Sequence, residues 1–106
     1  MNAVPKSFTV VSEAIRKSAR GKDCTLRLDG CLGGGETTVH AHLRGKWALG
    51  IAKKPSDFMG VRACSNCHDR EGMNLGCTDY DRLRALYETM TQLFAEGLLV
   101  VKGAKL

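Results

Sequence analysis

The sequence is short of several features that would place it in other protein classes. No apolar run approaches the roughly 20 residues that a membrane span needs. The N-terminal apolar patch, Phe8 to Val11, is too short for a secretory signal core and is followed by charges. Internal repeats and low-complexity tracts are absent, which excludes solenoids and biased linkers. Aromatic residues make up only 6% of the chain. Without a signal or a span, the expected location is the cytoplasm, with no membrane partner. Thiols stay reduced there, so the five cysteines are poor disulfide candidates and good metal-ligand candidates.

What is present describes one small basic domain. The 106 residues fit a single unit. A domain of this size buries only about 60–70% of its unfolded surface, so its core is thin and a metal is a common supplement. The net charge of +5 and pI near 9.1 favour polyanionic partners such as nucleic acid.

The pattern along the chain predicts an α+β fold, with a loose leader over residues 1–11 and one domain over 12–106. Ser12 is a candidate N-cap for a helix from Glu13 to Ala19, which Gly21 ends. Alternation predicts a strand over Cys24 to Leu28, then an Asp29-Gly30 turn and a second strand over Thr37 to Leu43. Residues 44–60 read as a loop and Val61 to Ala63 as a short strand entering Cys64. Thr78 with Asp81 has the form of a capping box. The helix that follows carries Leu83, Leu86, Tyr87, Met90, Leu93 and Phe94 at amphipathic spacing, and Gly97 stops it. Leu98 to Val101 reads as a last apolar strand. Arg82 and Arg84 read as the solvent face of that helix.

Cys64-Ser65-Asn66-Cys67 is a C-x-x-C knuckle, whose tight turn aims two sulfurs at one ion. Cys24 and Cys31 flank a turn and can complete a closed tetrahedral zinc site. The competing readings are a redox dithiol, which lacks its βαβ context here, and a pair of buried cysteines. Cys77 reads as a free thiol. His40 and His42 lie two apart on a strand and share a face, and His68 follows the knuckle directly.

The order Cys…Cys, a strand ending in His42, then Cys-x-x-Cys-His resembles the HNH (ββα-metal) endonucleases built on a treble-clef zinc. More closely, RKSARGKDCTLRLDGC, ETTVHAHLR, KKPSD and ACSNCHD resemble the lambdoid-prophage YbcO-like family of HNH-type nucleases, over roughly residues 16–70. The resemblance implies a small zinc-stabilised treble-clef domain with a C-terminal amphipathic helix. It implies His42 as general base, Asp57 as the group that orients it, and His68 as ligand of a catalytic divalent ion such as magnesium. Cys24, Cys31, Cys64 and Cys67 match the structural zinc ligands. HNH enzymes usually carry a ligand directly before the base, where this chain has Ala41. That ligand falls to His40, Glu36 or Asp69, or is missing.

Arg44, Lys46, Lys53 and Lys54 flank the loop after the histidine strand and are candidates to grip phosphates, with Trp47 to stack on a base. The expected function is a phage or prophage metal-dependent endonuclease, with DNA ahead of RNA as substrate and a homodimer open. The alternatives are a non-catalytic zinc-stabilised nucleic-acid-binding module and an adaptor in phage recombination or replication.

Overall fold

Ser12 adopts an extended backbone and its hydroxyl accepts the Ile15 N–H, which starts α1 (Glu13–Ser18). Gly21, at φ +78°, turns the chain away from it. The computed structural model describes residues 9–43 and 55–106. Its further elements are β1 (Val39–His42), a 3-10 turn (Asp57–Met59), β2 (Gly60–Ala63), α2 (Ser65–Gly72) and α3 (Asp79–Ala95). The fold is α+β. No helix among the described residues is long and apolar enough to cross a membrane.

β1 and β2 form an antiparallel pair with Val39 opposite Ala63, His40 opposite Arg62, Ala41 opposite Val61 and His42 opposite Gly60. Side chains alternate across a strand, so His40, His42 and Arg62 share one face while Ala41, Val61 and Ala63 share the other. The apolar face joins the core with Cys24, Leu26, Leu28, Leu43, Cys64, Cys67, Cys77 and Ala85. Helix α1 packs on β1 and the 3-10 turn, and both α2 and α3 pack on β2.

Three sequence expectations about this framework are corrected. Cys24 to Leu28 is an irregular knuckle. Thr25 donates to the Arg62 carbonyl at 2.6 Å, but Arg27 turns left-handed at φ 51°. A straight strand would carry Cys24 away from Cys31, whereas the bent chain lets Cys24 N–H reach Gly33 O at 3.1 Å. Leu98 to Val101 is likewise no strand. Gly97, at φ +76°, donates to Phe94 O, and Leu98 donates to Leu93 O, a Schellman cap that satisfies the helix-end carbonyls and turns the chain off α3.

The buried face of α3 is the third correction. The capping box of Thr78 and Asp81 forms. The buried positions, however, are Arg82, Ala85, Thr89 and Leu93, while Leu83 and Tyr87 are exposed. Two of the buried four are polar and each has dedicated partners. Arg82 Nε meets Glu71 at 2.7 Å, and the Thr89 hydroxyl lies 3.0 Å from that of Thr25. Arg84 also leaves the solvent face, donating to the carbonyls of Thr25 and Leu26 at 2.9 and 2.6 Å. A buried Arg62 ties β2 to Glu96, Gln92 and Ser18, so the helix is clamped by polar contacts as much as by apolar ones.

Candidate functional site

The knuckle, the end of β2 and the start of α2 bring Cys24, Cys31, Cys64 and Cys67 together, with all four sulfurs within 4.8 Å of one another. Thiolates bound tetrahedrally at 2.3 Å from one ion stand about 3.8 Å apart. The Cys31 and Cys64 sulfurs are 4.0 Å apart, so the spacing suits a shared ion and far exceeds a disulfide. Backbone N–H groups surround the sulfurs: Leu28 donates to Cys67, Leu32 to Cys64 and Gly33 to Cys31 at 3.3–3.4 Å. Cys64 is the N-cap of α2 and accepts from Cys67 N–H. Burial pushes the Cys64 thiol up, but the N–H groups of Leu32 and Cys67 outweigh it and bring it down to about 7. Cys67 and Cys31 are pushed up, chiefly by burial. The four cysteines could hold a metal ion, and an all-sulfur tetrahedral set is consistent with structural zinc. Cys77 is a buried free thiol outside this group.

A second group joins His40 and His42 with Asp57, again with donor atoms within 4.8 Å. The histidine rings meet edge to face, 5.4 Å between centroids. His42 Nε2 lies 2.8 Å from Asp57 Oδ1, and His40 Nε2 lies 2.5 Å from the Asp57 carbonyl. A carboxylate and a carbonyl only accept, so both rings carry hydrogen on Nε2, which in a neutral imidazole leaves the lone pair on Nδ1. The other carboxylate oxygen, Oδ2, accepts from Ser12 N–H at 2.6 Å and meets Arg16 Nε at 3.3 Å. Burial alone would raise the Asp57 carboxyl; the Ser12 N–H, His42 and Arg16 outweigh it and hold it below the usual range. Burial pushes the His40 imidazole below its ordinary value. The strand register explains Ala41: its side chain is 2% exposed and faces the core, so position 41 points away from the histidine face. Gly60 leaves room for His40, since a Cβ there would lie 2.3 Å from its Nε2.

His68 stands apart from that group. It lies exposed in the first turn of α2, its N–H bonded to Cys64 O at 2.8 Å. Glu36 and Asp69 are exposed and belong to neither group. Arg44, Lys46, Trp47, Lys53 and Lys54 lie outside the described residues. The leader expectation also falls mostly outside them, but Val10 is anchored: its carbonyl accepts Asp57 N–H at 2.8 Å and its N–H donates to Ser56 Oγ. Sequence reasoning missed Ser12 and Arg16 as supports of Asp57. Ser12 was legible as a helix cap, and its second task depends on a contact 45 residues away in the chain.

A family model described as "Putative nuclease YbcO" matches residues 13–92. The chain belongs to the YbcO family. The matched stretch includes both side-chain groups. Two curated relatives are "Putative nuclease YbcO" of Escherichia coli (strain K12) and "Putative nuclease ybcO" of Enterobacteria phage 82. Each is 46% identical over 56 residues, which is 52% of this chain and 58% of the relative. The chain thus spans little more than half the length of the curated relatives it matches. A solved chain described as a putative bacteriophage protein of Escherichia coli str. K-12 substr. MG1655 is 33% identical, with a TM-score of 0.62. That match covers 79% of this chain and 100% of the other. The family description names a nuclease, and the relatives come from a bacterium and a phage.

Proposed function

We propose that this YbcO-family chain is a metal-dependent endonuclease of the HNH kind that hydrolyses phosphodiester bonds, with DNA ahead of RNA as substrate. The observation that carries the reading is the 2.8 Å bond from His42 Nε2 to a nearly buried Asp57. Three groups hold that carboxylate in place, so the imidazole is fixed with its Nδ1 lone pair available. A base fixed in this way is what removal of a proton from water requires. His42 Nδ1 takes a proton from a water as that oxygen bonds to phosphorus. The P–O bond to the 3′ oxygen breaks with its electron pair going to that oxygen, which takes a proton from solvent water and leaves as a hydroxyl, while His42 returns its proton to solvent.

The knuckle, the β1–β2 hairpin and α2 succeed one another in the order of a treble clef, with zinc in the four-cysteine group. Imidazole and carboxylate donors beside the hairpin suit a second, divalent ion. His40 on the histidine face is a proposed ligand; His68, the ligand that the family resemblance implies, lies outside this group and would join it only through an ion or phosphate spanning the gap. When bound, that ion supplies positive charge for the leaving oxygen and the phosphorane.

A second reading, a zinc-stabilised nucleic-acid-binding module without catalysis, is favoured by one observation: Ala41 stands where HNH enzymes carry a ligand, and it faces the core. Plasmid nicking with magnesium, manganese or nickel separates the two. Metal-dependent nicking that is lost in His42→Ala supports the enzyme, and tight binding without nicking by the wild type supports the module.

A further inference from the structure

The described surface holds a basic feature that the active-site reading does not use. Among the described residues, most cations have an acidic partner. Lys17 pairs with Glu13, Lys22 and Arg62 with Glu96, Arg27 and Arg84 with Glu88, and Arg82 with Glu71. Arg20, four residues beyond Arg16, has no acidic partner among the described residues. It lines a groove of about 350 Å³ between the end of α1 and the start of β1. Backbone meets backbone there: a Cβ on Gly35 would lie 2.2 Å from the Gly21 carbonyl carbon, so position 35 must be glycine for the two segments to touch. Thr37 and Thr38 also line it, and exposed Glu36 is its acidic residue.

We propose that Arg20 and this groove, continued by Arg16, form a track for the phosphate backbone of the bound nucleic acid, leading to the His42–Asp57 pair. This rests on the nucleic-acid reading above but not on cleavage. Arg16 contacts Asp57 through Nε while its side chain remains 49% exposed, so one guanidinium can steady the carboxylate and still face a phosphate. The groove includes Val39, the first residue of β1, and His42 is the last. Three residues of strand span about 10 Å. That is well beyond the roughly 3.4 Å axial rise per nucleotide of one strand, so the groove would hold a phosphate other than the one attacked. The track is sequence-independent, because cations and glycine backbone read phosphate and not base edges.

The test is binding of a labelled 20-base-pair duplex DNA by the full chain carrying His42→Ala, measured across salt concentration. Removing one cation from a phosphate shrinks the slope of log K against log salt by about 0.9. Arg20→Gln and Arg16→Gln are each expected to shrink it by that amount, and Arg20→Lys to retain it. Lys102→Gln, an equal charge change on the C-terminal tail, is expected to leave it unaltered. An unaltered slope in folded Arg20→Gln protein overturns the track. An equal decrease in Lys102→Gln overturns it too, since the effect is then only net charge, as does an absence of binding by the His42→Ala protein. Absence of nicking by the wild type with these slopes intact would sink the nuclease reading alone.

Discussion

Removing the metal from the four-cysteine group is expected to unfold the domain. The group sits inside the core: Cys24, Cys64 and Cys67 are each at most 3% exposed and pack with Leu26, Leu28, Val61 and Ala63. Around it are a two-stranded sheet and one long helix. A two-stranded pair alone is marginal in water. Structural zinc contributes about 10–16 kcal/mol in zinc-finger peptides. The whole stability of an ordinary domain is about 5–15 kcal/mol. An ion contributing that much would account for most or all of the net stability, so its loss should leave the chain unfolded. Circular dichroism and thermal scans of chelated protein should show loss of the cooperative transition. Colorimetric titration should return about one zinc per chain in the wild type. Cys64→Ser should lose both, whereas Cys77→Ser, outside the group, should keep its zinc. A chelated sample that melts cooperatively at the wild-type midpoint would refute the reasoning.

Two further outcomes test the polar framework. Arg82→Met withdraws the 2.7 Å guanidinium partner from Glu71, which is 1% exposed, and should cost about 3–5 kcal/mol in urea unfolding. Adding Glu71→Met should recover part of that, because the unpaired carboxylate is gone while the Cys77 and Glu71 carbonyls and Asn74 still lack their guanidinium donor. Acid should destabilise the fold through its depressed carboxylates. Hydrogen bonds from Arg62 hold Glu96 below its ordinary value, and those from Arg27 do the same for Glu88. The unfolded chain binds protons more readily at these sites. Their contribution is therefore fully present above the ordinary carboxylate range, about pH 4–5, and is lost as pH falls through the depressed values. Melting midpoints followed from pH 6 to pH 2 should drop, and Glu96→Gln should flatten that drop; an unchanged profile would contradict the assignment.

Much of the site was legible in the residues because its chemistry is local. The C-x-x-C spacing brings two of the four clustered sulfurs together, and the His40–His42 spacing fixes a shared face. Ser12, Thr78 with Asp81, and Gly97 mark helix ends through contacts no more than five residues away. Asp57 was found through family resemblance, and its separation of 15 residues from His42 hides the bond from any periodicity argument. The knuckle was misread because alternation over Cys24 to Leu28 looks the same whether the chain runs straight or bends at Arg27.

The sequence by itself determined which atoms can bind an ion, where helices start and stop, and that one face of a short strand carries two imidazoles. These follow from spacing and from backbone preference. Tertiary structure alone decided which cations face inward: Arg62, Arg82 and Arg84 are carried into the protein because acids and carbonyls from distant segments meet them there. It also decided that Arg16 and Ser12 support Asp57. The physical reason is that burying a charge is favourable only beside its partner, and a partner many residues away leaves no trace in local pattern.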